Sequence, residues 1–209
     1  RHIIKQLEHN LLYVQTLPGI NDIISGNIKF SDLKNIEIED LLGRDSIPPN
    51  ENLLGKNIQD KNVLVTGSGG SIGSELTRQI ARLNPRALVI LDASEFALYS
   101  IDQEIRGKFP HIKLFDILGS VTNAGLIDDL VRGFKIDTIY HAAAYKHVPI
   151  VELNPLSGLE NNVFGTLVLA NAAARHNVVN MILVSTDKAV RPTNVMGASK
   201  RLAELILQS

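Results

Sequence analysis

Cysteine is absent from the 209-residue sequence, which excludes disulfides and thiolate metal sites and agrees with a reducing compartment. No metal site is predicted. An excess of charge is also absent, because 21 basic residues oppose 22 acidic ones. The chain therefore lacks the electrostatic pattern of a protein that binds nucleic acid or an anionic membrane. Any anionic ligand must be held by local groups.

Long apolar runs are missing as well. No uninterrupted run reaches the ~18 to 20 residues that a membrane-spanning helix needs, and no signal peptide is evident. The hydrophobic content of 44% suffices for one domain with a buried core. We therefore expect a soluble, cytoplasmic domain that makes no membrane contact. The start at Arg1 and the end at Ser209, within a predicted helix, indicate a piece of a longer protein.

Short β-branched apolar runs alternate with segments of helical period from residue 62 onward. This alternation predicts an α/β fold, a Rossmann-like doubly wound parallel sheet with helices on both faces. The predicted strands are 62–66, 87–92, 112–116, 137–141 and 179–185, and a long helix is predicted at 155–177. Residues 1–60 contain turn residues, an acidic run and two adjacent prolines, so we expect an N-terminal extension and linker there. Residues 61–209 form the predicted nucleotide-binding domain.

A glycine-rich turn, VLVTGSGGSIGSEL, joins the first predicted strand to the first helix. Its glycines carry no Cβ, so a diphosphate can approach the backbone, and the helix N-terminus adds N–H groups and a partial positive charge. A tight turn with glycines needed only for packing would show the same spacing. The predicted contacts with a dinucleotide are Gly67, Ser68, Gly70, Ser71, Ile72 and Gly73.

Asp92 supports the dinucleotide interpretation. It ends the second predicted strand 19 residues after Gly73, where a carboxylate can accept hydrogen bonds from an adenosine ribose. Neither Ser68 nor Ala93 supplies the positive charge that a 2′-phosphate requires, so NAD is favoured over NADP as the cofactor. A cap for the following helix is the alternative role of Asp92.

Further cofactor contacts are expected at the carboxyl ends of the other strands, where ligands of this architecture bind. Asp116 ends the third predicted strand and could meet the adenine amino group, although a surface-turn aspartate is equally consistent. Ile117, the next residue, is also predicted to contact the cofactor. The small residues Ala142, Ala143 and Ala144 would let the backbone approach a flat ligand. They are also ordinary core residues.

Several segments stand out in combination: GSGGSIGSEL, AYKHVPIVELNP, NNVFGT, STDKAVRPTN and GASK. Together they resemble the extended short-chain dehydrogenase/reductase fold and, more narrowly, the CapD group of nucleotide-sugar 4,6-dehydratases of polysaccharide biosynthesis. The resemblance covers residues 40–209 and lacks the family's C-terminal substrate-binding part. It implies NAD-dependent oxidation of a UDP-N-acetylhexosamine, typically UDP-N-acetylglucosamine, at C4, loss of water across C5 and C6, and return of hydride to C6.

The resemblance carries two further implications. A full-length relative has membrane helices ahead of this domain, which would anchor it in the inner membrane with the domain on the cytoplasmic side. Lys146, His147 and Asn162 are assigned to binding the UDP-sugar. From the residues alone, a solvated loop at Lys146 and His147 is equally consistent. The oligomeric state stays open, a homo-oligomer included.

The resemblance also assigns the chemistry at the segment STDK. Carried over by position, Asp187 is the acid that protonates the departing C6 hydroxyl, Lys188 is the C5 base, and Thr186 donates to the C4 oxygen. A polar strand end that caps the next turn is the structural alternative. A lysine acts as a base only when it is neutral, so burial, the nicotinamide and Lys200 would have to disfavour its charge.

Met196 and Lys200 lie four residues apart on one face of the last predicted helix. Family members carry Tyr-x-x-x-Lys there, in which the lysine holds the nicotinamide ribose and the tyrosine takes the C4 hydroxyl proton. Lys200 keeps that role, whereas Met196 has no proton to exchange and is an apolar gap-filler. Thr186, relaying to Asp187 or water, is the candidate replacement.

Two alternatives stay open: a catalytically silent NAD-binding module that senses redox state or holds partners, and a nucleotide-sugar epimerase.

Overall fold

The computed structural model describes residues 55–209 and two short strands near the N-terminus, β1 (Gln15–Thr16) and β2 (Lys34–Asn35), which pair antiparallel. Residues 1–49 and 50–209 form two compact units. The predicted extension at 1–60 lies mostly outside the described residues, so its boundary with 61–209 stays a prediction.

A five-stranded parallel sheet forms the centre of the second unit. Its strands are β3 (Asn62–Thr66), β4 (Ala87–Asp92), β5 (Leu114–Leu118), β6 (Thr138–His141) and β7 (Asn180–Leu183). Their order is β5-β4-β3-β6-β7. The chain moves outward from β3 first to one edge and then to the other, which opens a crevice at the carboxyl end of β3. The predicted Rossmann-like fold is confirmed.

Seven α-helices are described in this unit: α1 (Ser71–Arg82), α2 (Glu95–Lys108), α3 (Ala124–Gly133), α4 (Val148–Leu153), α5 (Pro155–Leu159), α6 (Gly165–Arg175) and α7 (Val195–Gln208). Two clusters of buried apolar side chains join the helices to the sheet, one on each face. Val63 and Val65 pack on one face with Ile80 of α1, whereas Leu64 packs on the other with Leu169 of α6. The three central residues of β3, 63–65, are therefore all apolar, as is typical of a strand covered on both faces. None of the described helices is long and apolar enough to cross a membrane.

The third strand differs most from its predicted bounds. It was expected to end at Asp116, but pairing with β4 carries it on to Leu118, opposite Asp92. The backbone N–H of Gly119 then donates to the carbonyl oxygen of Asp92, 2.9 Å away. The strand end is thus set by register with its neighbour, which the residue pattern alone does not reveal. Asp116 consequently lies inside the strand and not at its end.

The predicted long helix at 155–177 is interrupted. A π-helical turn, Glu160–Phe164, separates α5 from α6, and the N–H of Gly165 donates to the carbonyl oxygen of Glu160, five residues earlier. Gly165 packs so closely on the loop after β5 that an added Cβ would lie 2.7 Å from Val121 Cγ2. A π turn inserts one extra residue per turn and often marks a functional site.

Candidate active site

A cleft of about 630 Å³ lies at the carboxyl ends of the strands. Five segments of the chain form its walls: the glycine turn, the end of β4, the loop after β5, the segment after β6 and the segment after β7, with two side chains of α7. These segments meet because β3 lies between β4 and β6 at the switch point of the sheet.

The glycine turn has no room for side chains. Gly67 adopts φ of 67°, and a Cβ on it would lie 2.6 Å from the backbone nitrogen of Ala143. A Cβ on Gly73 would lie 1.9 Å from the carbonyl oxygen of Gly67. Gly70 is the N-cap of α1 and supplies no side-chain cap, so the first N–H groups of that helix point toward the cleft mouth without side-chain competition. This is the geometry that a diphosphate needs.

Asp92 braces the turn. One of its carboxylate oxygens accepts from the N–H of Gly69 at 2.8 Å and the other accepts from the N–H of Ser94 at 2.8 Å. The cap of α2 is Ser94, whose hydroxyl accepts from the N–H of Ala97, so the alternative role of Asp92 as that cap is wrong. Each carboxylate oxygen keeps a second lone pair for a ribose hydroxyl.

Three predicted cofactor contacts lie away from the cleft. Ser68 is fully buried, and its hydroxyl has no hydrogen-bond partner within residues 55–209. Asp116 accepts from Arg106 at 2.9 Å, and Ile117 packs against the core on the side of α3 and α6. The positions of Asp116 and Ile117 follow from the displacement of β5 by two residues toward the C-terminus, since the loop after Leu118 reaches the cleft in their place.

The sequence reasoning missed several lining residues: Gly69, Ser94, Ala97, Gly119, Ser120, Val121, Tyr145 and Asn161. Gly119 directly follows β5, and a glycine can mark a strand end, but the register of β5 with β4 decides where that end lies. Four of the predicted cofactor contacts also line the cleft: Ile72, Ala142, Ala143 and Ala144.

Lys146 and His147 also line the cleft. The Nζ atom of Lys146 donates to the hydroxyl of Ser71 at 3.1 Å, which places a positive charge over the first residue of α1. His147 is the N-cap of α4. Both side chains are therefore available to an anionic ligand that spans the cleft.

Asn162 does not line the cleft. It is 1% exposed, and its amide bonds three interior groups: the N–H and the carbonyl oxygen of Tyr145, and the hydroxyl of Ser199. Its hydrogen-bonding capacity toward a ligand is therefore largely used. Asn161, its neighbour in the π turn, lines the cleft instead.

The segment after β7 places three polar side chains at the cleft rim. The Thr186 hydroxyl donates to Asp187 Oδ1 at 2.9 Å, and Lys188 Nζ lies 3.5 Å from the same oxygen. The hydrogen bond from Thr186 and, next, the charge of Lys188 lower the pKa of Asp187. Asp187 is therefore ionised at neutral pH. Thr186 and Lys188 line the cleft, while the Asp187 side chain is 88% exposed beside them.

Helix α7 contributes Met196 and Lys200, both buried and both lining the cleft. Lys200 Nζ donates to the carbonyl oxygen of Val184 at 2.7 Å. Burial lowers the pKa of Lys200 to about 8, and the carboxylate of Glu204 partly opposes this shift. Glu204 also accepts from the Ser185 hydroxyl. An amine that changes charge near pH 8 thus lies on the floor of the cleft.

Comparison with known proteins identifies the chain's relatives. Residues 63–209 match the family described as Polysaccharide biosynthesis protein. Capsular polysaccharide biosynthesis protein CapD of Staphylococcus aureus is 42% identical over 194 residues, which are 92% of this chain and 32% of that protein. The probable polysaccharide biosynthesis protein EpsC of Bacillus subtilis is 37% identical over 197 residues, 94% of this chain and 33% of that protein. The chain therefore spans about a third of the length of these two relatives.

Similarity extends to proteins that are named as nucleotide-sugar enzymes. A UDP-glucose 4-epimerase of Rickettsia typhi is 37% identical over 149 residues, 69% of this chain and 42% of that protein. The solved structure of DesIV, a dTDP-glucose 4,6-dehydratase from Streptomyces venezuelae with NAD and TYD bound, matches with a TM-score of 0.59 at 27% identity, over 69% of this chain and 50% of that one. The chain belongs to the polysaccharide biosynthesis protein family and has the extended short-chain dehydrogenase/reductase fold.

Proposed function

We propose that this chain is the cofactor-binding part of an NAD-dependent 4,6-dehydratase. Its substrate is a UDP-N-acetylhexosamine, foremost UDP-N-acetylglucosamine, and its product is a UDP-4-keto-6-deoxy sugar for surface polysaccharide. The observation that carries the proposal is a group of three side chains at the cleft rim, Thr186, Asp187 and Lys188. The first and the last both form hydrogen bonds to one carboxylate oxygen of Asp187. A protein that only binds a dinucleotide has no use for an ionised carboxylate and an amine at that point.

The cofactor is assigned to the wall formed by the glycine turn. The diphosphate would lie on the first N–H groups of α1, with Lys146 above them, and Asp92 would accept from the adenosine ribose. The buried Lys200 would hold the nicotinamide ribose. When bound there, NAD supplies the hydride acceptor for C4 and the hydride donor for C6.

The proton transfers are assigned to the rim. The Thr186 oxygen takes the proton of the C4 hydroxyl as it passes its own proton to Asp187. This relay takes over the role of the family's tyrosine, whose position is occupied here by Met196. Asp187, now protonated, gives that proton to the departing C6 hydroxyl, which leaves as water. Lys188 removes the C5 proton and later returns a proton to C5, so each group ends in its starting state. The lowered pKa of Asp187 keeps the carboxylate ionised before the reaction, and it makes the protonated form a stronger acid toward the departing C6 hydroxyl.

Lys188 must be neutral when it acts. In the free chain it is half-exposed and paired with Asp187. Protonation of Asp187 in the first step removes the negative charge that favours the ammonium form, so Lys188 can release a proton to solvent before it removes the C5 proton, and it regains that proton after turnover. The two transfers are coupled through one carboxylate.

A nucleotide-sugar epimerase is the second candidate function. It is favoured by the similarity to the UDP-glucose 4-epimerase of Rickettsia typhi. An epimerase returns hydride to C4 and leaves C6 as a hydroxymethyl group, so it needs neither the acid nor the C5 base. The presence of Asp187 and Lys188 favours the dehydratase.

Proton NMR of the product distinguishes these functions. The full-length protein is incubated with UDP-N-acetylglucosamine and NAD. A dehydratase produces a C6 methyl signal and a 4-keto sugar, whereas an epimerase produces the C4 epimer with C6 unchanged. Unaltered substrate in the presence of bound NAD would support the silent binding module.

A further inference from the structure

Beneath the cleft, the ring of His141 joins two buried hydroxyl groups. Its Nδ1 atom lies 2.7 Å from Thr66 Oγ1, and its Nε2 atom lies 3.0 Å from Thr166 Oγ1. His141 is 1% exposed, and both threonines are fully buried. The three residues come from β3, β6 and α6, so the ring connects the sheet to the helix layer.

The hydrogen positions in this group follow from donor counting. A threonine hydroxyl has one proton, and that of Thr166 is donated to the carbonyl oxygen of Asn162 at 2.7 Å. Thr166 must therefore accept from His141, which places the ring proton on Nε2. The unprotonated Nδ1 then accepts from Thr66. Burial and, secondarily, the charge of Lys200 lower the pKa of His141 to about 3, so the ring is neutral.

The chain of hydrogen bonds continues into α7. Asn162 donates from its side-chain amide to the Ser199 hydroxyl at 2.9 Å, and Ser199 donates to the carbonyl oxygen of Met196 at 2.7 Å. The same amide holds the backbone of Tyr145 at both its polar groups. The π turn makes this possible, since it directs Asn162 inward while Asn161 lines the cleft.

Three members of this hydrogen-bond network directly precede cleft-lining residues in the sequence. Thr66 precedes Gly67, His141 precedes Ala142, and Ser199 precedes Lys200. A shift of any member therefore moves a wall of the cleft. The hydrogen bonds link the wall assigned to the diphosphate with the lysine assigned to the nicotinamide ribose.

We propose that His141 is a positioning residue, which as the neutral Nε2–H tautomer fixes the distance between the glycine turn and Lys200. This role rests on the proposed binding of NAD. A ligand that contacts both walls depends on that distance, whereas a ligand that contacts only the glycine turn and Asp92 does not. NAD is of the first kind and ADP is of the second.

The test uses two isosteric substitutions in the 209-residue chain. Thr166→Val removes the acceptor of His141 Nε2–H, and Thr138→Val removes a buried hydroxyl that has no hydrogen-bond partner within residues 55–209. We expect Thr166→Val to raise the Kd of NAD on the order of tenfold, because a buried donor is left unpaired and the walls can shift. Its Kd for ADP should stay within about twofold of wild type, and Thr166→Ser should restore the Kd of NAD. Thr138→Val should change neither affinity.

Nitrogen-15 NMR of the histidine rings tests the tautomer without any ligand. The His141 ring should show a protonated Nε2 and an unprotonated Nδ1. Its nitrogen chemical shifts should stay constant between pH 5 and 8, because burial keeps the ring neutral. A protonated Nδ1, titration within this range, equal losses of NAD and ADP affinity, or wild-type NAD affinity in Thr166→Val would each overturn the positioning role. If the wild-type chain binds ADP but not NAD, the proposed cofactor is wrong and the role is lost with it, an outcome distinct from a failure confined to Thr166→Val.

Discussion

Replacement of Gly73 by alanine tests whether the glycine turn is the cofactor site. The new Cβ would lie 1.9 Å from the carbonyl oxygen of Gly67 and 2.7 Å from its carbonyl carbon. Both atoms are backbone, so no side chain can rotate away. The start of α1 must separate from the turn by about 1.1 Å before the contact reaches 3.0 Å, the limit that real Cβ atoms keep. The N–H groups assigned to the diphosphate move with it.

Overpacking of this kind costs about 1 to 3 kcal/mol. If the strain appears in the cofactor site, the Kd of NAD rises about 5- to 150-fold. The assay is calorimetric titration with NAD, accompanied by thermal unfolding. Gly107→Ala in α2 is the matched control, because nothing lies within 4 Å of its added Cβ, and alanine stabilises a helix interior by up to about 1 kcal/mol. Wild-type NAD affinity in Gly73→Ala would refute the assignment of the turn.

The remaining predictions concern four side chains of the cleft. Asp92→Ala should weaken NAD binding much more than NADP binding in parallel titrations; equal losses would contradict the ribose assignment. In the full-length enzyme, Lys188→Ala should lower turnover by roughly 10² to 10⁴ while NADH absorbance accumulates, whereas Met196→Tyr should change turnover only modestly because its proton is already handled at Thr186. The free energy of unfolding should rise between about pH 8 and 10.5, since Lys200 binds fewer protons in the folded chain than in the unfolded chain there. The lowered pKa of Lys200 corresponds to a rise of roughly 3 kcal/mol. Lys200→Met should remove that rise in pH-dependent denaturation curves.

The fold and the glycine turn could be predicted because their signals are local. The apolar runs of β3 and β4, and the glycine turn between β3 and α1, are contiguous in sequence. Asp116 was misplaced because the end of β5 depends on its pairing with β4, a neighbour more than 20 residues away. Local pattern does not encode that register.

The buried polar network could not be predicted for a related reason. Thr66, His141 and Thr166 are separated by 75 and 25 residues along the chain, and nothing in their own segments distinguishes them from ordinary strand and helix residues. The burial of Asn162 was not foreseen because the π turn, which directs its side chain inward, is not visible as a break in the helical pattern. Positions of this kind follow only from the packed structure.

The central claim is that the rim group dehydrates a nucleotide sugar, with Lys188 carrying the C5 proton. It is tested most directly by incubating the full-length enzyme with UDP-N-acetylglucosamine and NAD in deuterated water and recording the product by NMR. Lys188 exchanges its protons with solvent, so we predict a C6 methyl group together with deuterium at C5. A methyl group with the original proton retained at C5 would contradict the role of Lys188, and a product without the methyl group would contradict dehydration itself.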